Sequence, residues 1–282
     1  MKKILFPTDL SEAANKAFIY ALHFADKLNA SLIALHVYYK PEVKAASLPR
    51  TLEEFYKTFD LEEFENYKDA IPALRDIQDA NGFNHLNISH TLVGGDRIVD
   101  AILDSAKKEE ADIIVMGTTG ARGLKEIFLG SVAGEVLENA ECLVLAVPEN
   151  ATFDGVIDNI GMTTTYHEEE KEALKKVLNI TAPFEPTIHC VNVDLAHIEP
   201  FTKRMDAFSA EFANVANINF DAIDGNNIQE VLAGFMEGRK VDMLAMVTHK
   251  RNFLQELFNY SRTKQMSYHS KTPILSIPAH IL

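Results

Sequence analysis

"DIIVMGTTGARGLKEIFLGS" (112–131) and "DMLAMVTHKRNFLQELFNYS" (242–261) lie over one another without a gap, 130 residues apart. Asp112 meets Asp242, Met116 meets Met246 and Thr118 meets Thr248. Further along, Leu124, Glu126, Phe128 and Ser131 meet Leu254, Glu256, Phe258 and Ser261, and the register runs on to Pro148 and Pro278. A period this long marks a duplicated domain, since solenoid and propeller units repeat every ~20–50 residues. We therefore expect two related halves, residues 1–149 and 150–282, divided near "PENATFDG".

Working outward, "KKILFP" is a short apolar run, followed by a helical pattern in "SEAANKAFIYALHFADKLNA" with Ser11 as a good N-cap. "SLIALHVYY" is a buried-type strand. The charged stretch "TLEEFYKTFDLEEFENYKDAIPALRDIQDAN" is mostly helical, with Pro72 expected to kink or interrupt it. "LNISHTLVGG" alternates as a strand, "DRIVDAILDSAKKEE" is an amphipathic helix, "ADIIVM" is a central strand, "SVAGEVLENA" a helix and "CLVLAVP" a closing strand. The second half repeats the order, with strands near "VIDNIGMT", "PTIHCVNVD", "INFDAID", "VDMLAMV" and "PILSIP". Alternating strands and helices predict an α/β chain of two Rossmann-like domains. Each is expected to be a five-stranded parallel sheet covered by helices on both faces.

Open parallel sheets bind ligands at the carboxyl ends of their strands, where strand order reverses. The glycines leave "DIIVM" at that edge. Gly117 and Gly120 admit close approach to the main chain. Gly130 and Ser131 open a helix whose free N–H groups and positive end suit a phosphate. A turn followed by a Gly-started helix is the alternative reading of the same residues. The stretch is not a Walker A loop, and it does not match the dinucleotide G-x-G-x-x-G.

"GTTGARGLKEIFLGS" fits the G-2x-G-9x-G-[ST] pattern of ATP-binding universal stress proteins, with Gly117, Gly120, Gly130 and Ser131 in the patterned positions. "ILFPTDLSEAA" resembles that family's opening strand and Asp-bearing loop. The resemblance spans nearly the whole chain as a tandem pair of adenine nucleotide α-hydrolase-like domains. It implies that Asp9 meets the adenosine, with Pro7 and Thr8 shaping that wall, and that Val37 contacts the adenine. It also implies that Met116 and Gly117 border the ribose and phosphates, and that Gly120, Gly130, Ser131 and Val132 cradle the phosphate chain. Asp9 alone would read as a turn or capping residue and Val37 alone as core. Arg122 and Lys125 are either phosphate partners or solvated loop cations.

In the second half Gly117, Gly120 and Gly130 become Val247, Lys250 and Tyr260, and Thr165 stands nearest to Asp9. The expectation is nucleotide (ATP, with AMP or ADP as options and Mg as a bridging metal) in the first half only. The resemblance also implies that the terminal strands pair antiparallel within the chain as a pseudo-dimer, which covers two otherwise exposed edges. A homodimer of the whole chain is a further option.

Net charge is −14, which disfavours nucleic acid and anionic membranes as partners. The opening "MKKILFPTDL" is too short in apolar residues for a signal peptide, no stretch suits a bilayer span, and the two cysteines lie in apolar runs. The expected setting is cytoplasmic. The acidic run "HEEEKEA" reads as a solvated helix start. Ten scattered histidines show no zinc spacing. No general base or Walker B acid is evident, so the chain reads as a nucleotide-binding regulatory protein in stress response with an unknown protein partner. An interaction scaffold that binds no nucleotide and a slow ATP hydrolase are the alternatives.

Overall fold

A computed structural model describes residues 2–40, 49–119, 129–194, 201–248 and 271–282. The first half contains β1 (Lys3–Thr8), α1 (Glu12–Leu28), β2 (Ser31–Tyr39), α2 (Pro49–Ala80), β3 (Ile88–Gly95), α3 (Ile98–Lys108), β4 (Ile113–Gly117), α4 (Ser131–Asn139) and β5 (Leu143–Val147). The second contains β6 (Asn159–Thr163), α5 (Glu170–Thr181), β7 (Thr187–Asp194), α6 (Phe201–Glu211), β8 (Ile218–Asp224), α7 (Ile228–Arg239), β9 (Met243–Thr248) and β10 (Ile274–Pro278). The α/β alternation expected from the repeat is present. "NFLQELFNY" and the stretch holding Arg122 and Lys125 lie outside the described residues.

The ten strands form one sheet in the order β3-β2-β1-β4-β5-β10-β9-β6-β7-β8. Each half is parallel within itself, as predicted. The joint is antiparallel: Ile274 registers with Ala146, Leu275 with Leu145 and Ser276 with Val144. The two expected sheets are thus halves of a single mixed sheet, because pairing the terminal strands leaves neither β5 nor β10 as an edge.

Both faces are apolar and both cores run across the joint. One face packs Phe6, Phe18, Phe24 and Leu145 with Ile160, Met162, Leu174 and Leu275. The other packs Leu5, Ile114, Val136 and Val144 with Val191, Leu232, Met236 and Leu244. The chain between β5 and β6 is laid along α1: Lys16 Nζ donates to Glu149 O at 2.6 Å, and Tyr20 Oη donates to Thr152 O at 3.2 Å.

Pro72 does not interrupt α2, which runs unbroken over 32 residues. Of the aromatics spaced along it, Tyr67 is buried whereas Phe64 is 51% exposed. Among the described residues no helix is long and apolar enough to cross a membrane.

Candidate functional site

Strand order reverses between β1 and β4, and there the sheet parts. The β1–β4 ladder registers only Ile4 with Ile113 and Leu5 with Ile114, while β1–β2 continues through Thr8 paired with His36. Pro7 has no N–H to give a neighbour, so its place in an inner strand is tolerable only where the ladder has ended. Pro7 therefore stands where the β1–β4 pairing has stopped. The walls of the opening are the loop after β1 and the loop after β4.

On the first wall, Thr8 is buried and Asp9 exposed. Leu10 takes a left-handed conformation (φ 64°), its N–H donating to Thr8 Oγ1 at 3.0 Å. The Ser11 N–H donates to Asp9 Oδ1 at 3.1 Å, and Ser11 Oγ caps α1 by accepting from the Ala14 N–H at 3.2 Å. Asp9 thus folds over the turn while standing at the rim of the opening. His36 lies behind this wall, its Nδ1 2.8 Å from Thr8 O; a carbonyl only accepts, so Nδ1 carries the proton. The His36 ring stacks on Tyr67 (centroids 5.2 Å apart, planes at 14°), and burial pushes the Tyr67 hydroxyl up to about 12.

On the second wall, Met116 is buried beside Ala146 and Gly117 registers with Val147. The Thr118 N–H donates to Val147 O at 3.0 Å, and the Gly130 N–H donates to Thr118 O at 2.7 Å. That short bond sets the start of α4 over the exit of β4. Gly130 is an extended N-cap without a side-chain cap, followed by exposed Ser131 and half-buried Val132. A Cβ on Gly130 would stand 3.2 Å from Thr118 O, and one on Gly117 3.3 Å from both Ala13 O and Thr119 O. The contact with Ala13 shows that the two separated motifs converge. Gly120 lies outside the described residues, and Val37 sits half-buried on the α3 side of β2.

Sequence reasoning passed over Thr118. It is 1% exposed, and its Oγ1, like that of Thr119, has no hydrogen-bond partner among the described residues. A buried hydroxyl without a partner is costly and asks for a group to bond. The repeat holds the missed signal: Thr248, the counterpart of Thr118, shares a hydrogen bond with Ser276, whereas the residue matching Ser276 in the first half is Ala146.

In the second half the equivalent two strands stay paired further. The β6–β9 ladder runs through four pairs, from Ile160 with Met243 to Thr163 with Met246, because Thr163 stands where Pro7 stands. Its loop keeps the same turn: Tyr166 is left-handed (φ 56°), the Tyr166 N–H donates to Thr164 Oγ1 at 2.9 Å, and Asn192 Nδ2 holds Thr164 O at 2.9 Å in the manner of His36. Thr165 occupies the place of Asp9. Val247 is half-buried; Lys250, Tyr260 and Ser261 lie outside the described residues. The acidic run departs from its solvated reading, for Glu170 is 7% exposed and bonded into the loop, where the turn offers several donors to its carboxylate.

The sequence profile described as "Universal stress protein family" matches residues 1–148. The chain belongs to the universal stress protein family. Two universal stress proteins of Methanocaldococcus jannaschii are similar to about half of the chain. MJ0531 is 34% identical over 149 residues, covering 52% of this chain and 81% of that one. MJ0577 is 32% identical over 156 residues, covering 52% and 94%. The crystal structure of a universal stress protein from Archaeoglobus fulgidus covers 98% of both chains with a TM-score of 0.69 at 17% identity, which extends the likeness of fold across both halves.

Proposed function

We propose that this universal stress protein is a regulatory adenine-nucleotide-binding protein and that only its first half, residues 1–149, holds the nucleotide. The observation that carries the reading is the crevice opened at Pro7, where strand order reverses. Around it lie the bare backbone of Gly117 and Gly130 and the start of α4. In this reading Asp9, Pro7, Thr8 and Val37 form the adenosine side. Met116, Gly117, Gly120, Gly130, Ser131 and Val132 form the phosphate side.

These features fit an adenine nucleotide on physical grounds. A phosphate accepts hydrogen bonds, and the site offers donors and a positive helix end, with no Cβ in the way at either glycine. Among the described residues no three His, Cys, Asp or Glu side chains come together to hold a metal, so a magnesium ion would be carried chiefly by the phosphates. The second half, 150–282, serves as a structural partner whose last strand completes the sheet. Two free cysteines accord with a cytoplasmic setting.

Calorimetric titration with ATP, ADP and AMP tests this. Wild type is expected to bind with one site per chain. Gly130→Tyr, which copies the second half into the first, is expected to abolish binding while circular dichroism and thermal melting show a folded protein. Two equivalent sites, or none, would contradict the reading.

A further inference from the structure

Position 165 lacks the carboxylate that Asp9 supplies, yet a carboxylate is present in that loop. It arrives from α5. Glu170 Oε2 accepts from Thr164 Oγ1 at 2.9 Å, Thr165 N at 2.8 Å, Thr165 Oγ1 at 3.0 Å and His167 N at 3.2 Å. Four donors converging on one buried oxygen make a built anion site with its occupant already in place. The two loops superpose through the registers of β1 on β4 and β6 on β9, which match Ile4 with Ile160 and therefore Asp9 with Thr165, Ser11 with His167 and Ala14 with Glu170. Where the second half has this long acidic side chain, the first half has a methyl group.

We propose that Glu170 is a tethered anion that holds the second half's loop shut, taking up the donors that a ligand's oxygen would need. The bland account is a capping interaction, in which an acidic residue reaches back to the N–H three positions earlier; the bond to His167 N is of that kind. Capping does not account for the other three donors. Two are threonine hydroxyls and one is the Thr165 N–H, which Asn192 aims by fixing the preceding carbonyl. Glu170 therefore does more than start a helix. It saturates the loop.

The proposal deepens the first-half reading, on which the nucleotide part of its test depends; the anion part stands on the second half alone. Glu170→Ala is melted in sodium formate and in sodium chloride at equal ionic strength, beside wild type. Formate is expected to raise the melting temperature of the variant by several degrees over chloride and to leave wild type unmoved. Equal responses of the two proteins would overturn the proposal. If Glu170→Ala does not fold unaided, the yield of folded protein on refolding in formate against chloride is the same readout.

In the first half, Ala14→Glu sets the plug's side chain at the matching position, where Asp9 already holds the Ser11 N–H, and Ala14→Ser adds a side chain too short to reach the loop. ATP affinity is expected to fall at least tenfold in Ala14→Glu and to stay near wild type in Ala14→Ser. Undiminished binding by folded Ala14→Glu, or equal loss in both variants, would count against Glu170 as a plug. Absence of ATP binding by wild type would instead sink the nucleotide reading and leave the formate result to decide the plug.

Discussion

Leu145 pairs across the central joint with Leu275, its own counterpart 130 residues along the chain. A residue facing its own repeat lies on the pseudo-two-fold axis, so the duplicated strands meet as two identical subunits of a symmetric dimer would. Both side chains are fully buried in a core that draws on both halves. Leu275→Ala is expected to cost about 2–5 kcal/mol, the usual range for a buried leucine. It should do so in one transition shared by the two halves. Chemical denaturation followed by probes in each half checks this; two separated transitions in wild type would show that the joint does not couple them.

The threonine pair at 118 and 248 separates ligand recognition from stability. Thr118→Val removes a hydroxyl that has no partner among the described residues, so stability should hold or rise. Where a bound phosphate supplies that partner, a hydrogen bond to the charged group contributes about 1.5–3 kcal/mol, and the variant is expected to lose ATP affinity roughly 10–100-fold. Thr248→Val behaves in the opposite sense, because it strands the buried Ser276 hydroxyl; the expected cost is about 1–3 kcal/mol of stability with no change in nucleotide binding. Calorimetric affinity and urea midpoints of both variants check the pair.

Gly117→Val copies position 247 into the first half. The new Cβ would press on two backbone carbonyl oxygens, Ala13 O and Thr119 O, each at 3.3 Å, and backbone yields less readily than a side chain tip. Overpacking of this kind costs about 1–3 kcal/mol, and displacing these loops should lower ATP affinity at least tenfold. The reverse change, Val247→Gly, is not expected to create a site, since Thr163 still zips β6 to β9. Binding stoichiometry of the two variants distinguishes these outcomes.

Much of this architecture was legible because the repeat runs ungapped through β4, β5, β9 and β10 at a constant spacing. The spacing changes upstream of β3 and β8, where the first half has a 32-residue helix and the second one of 11, so the sequence shows Thr165 only as the residue nearest to Asp9 and the strand registers fix the match. Pro7 was readable as a wall residue, but its effect on the ladder was not, because the neighbour of β1 is set by sheet order. Glu170 was misread for a related reason. Its neighbours Glu168 and Glu169 are exposed, and a run of glutamates carries no mark of which one turns inward. Thr118 differed from Thr248 only through Ala146 and Ser276, residues on another strand.

His23 gives the fold a pH dependence. Its ring stands between Phe83, just beyond the end of α2, and Phe153 in the segment joining the halves, with centroids 4.7 and 4.4 Å away. Burial holds its pKa below the ordinary histidine value, outweighing the attraction of Asp26 and Asp154, while Lys27 pushes the same way as burial. The neutral ring is thus favoured in the folded state, and the unfolded chain binds the proton more readily. Stability from this site is complete above about pH 6.5, the unfolded value, and is lost as pH falls from there through the depressed folded value. His23→Phe keeps an aromatic ring and removes the titration, so its stability should decline less than wild type between pH 7 and pH 5. His90 and His189 are also held low by burial, so part of the slope should remain in the variant. Urea unfolding at several pH values measures the difference, and parallel curves for the two proteins would show that His23 does not change its protonation on folding.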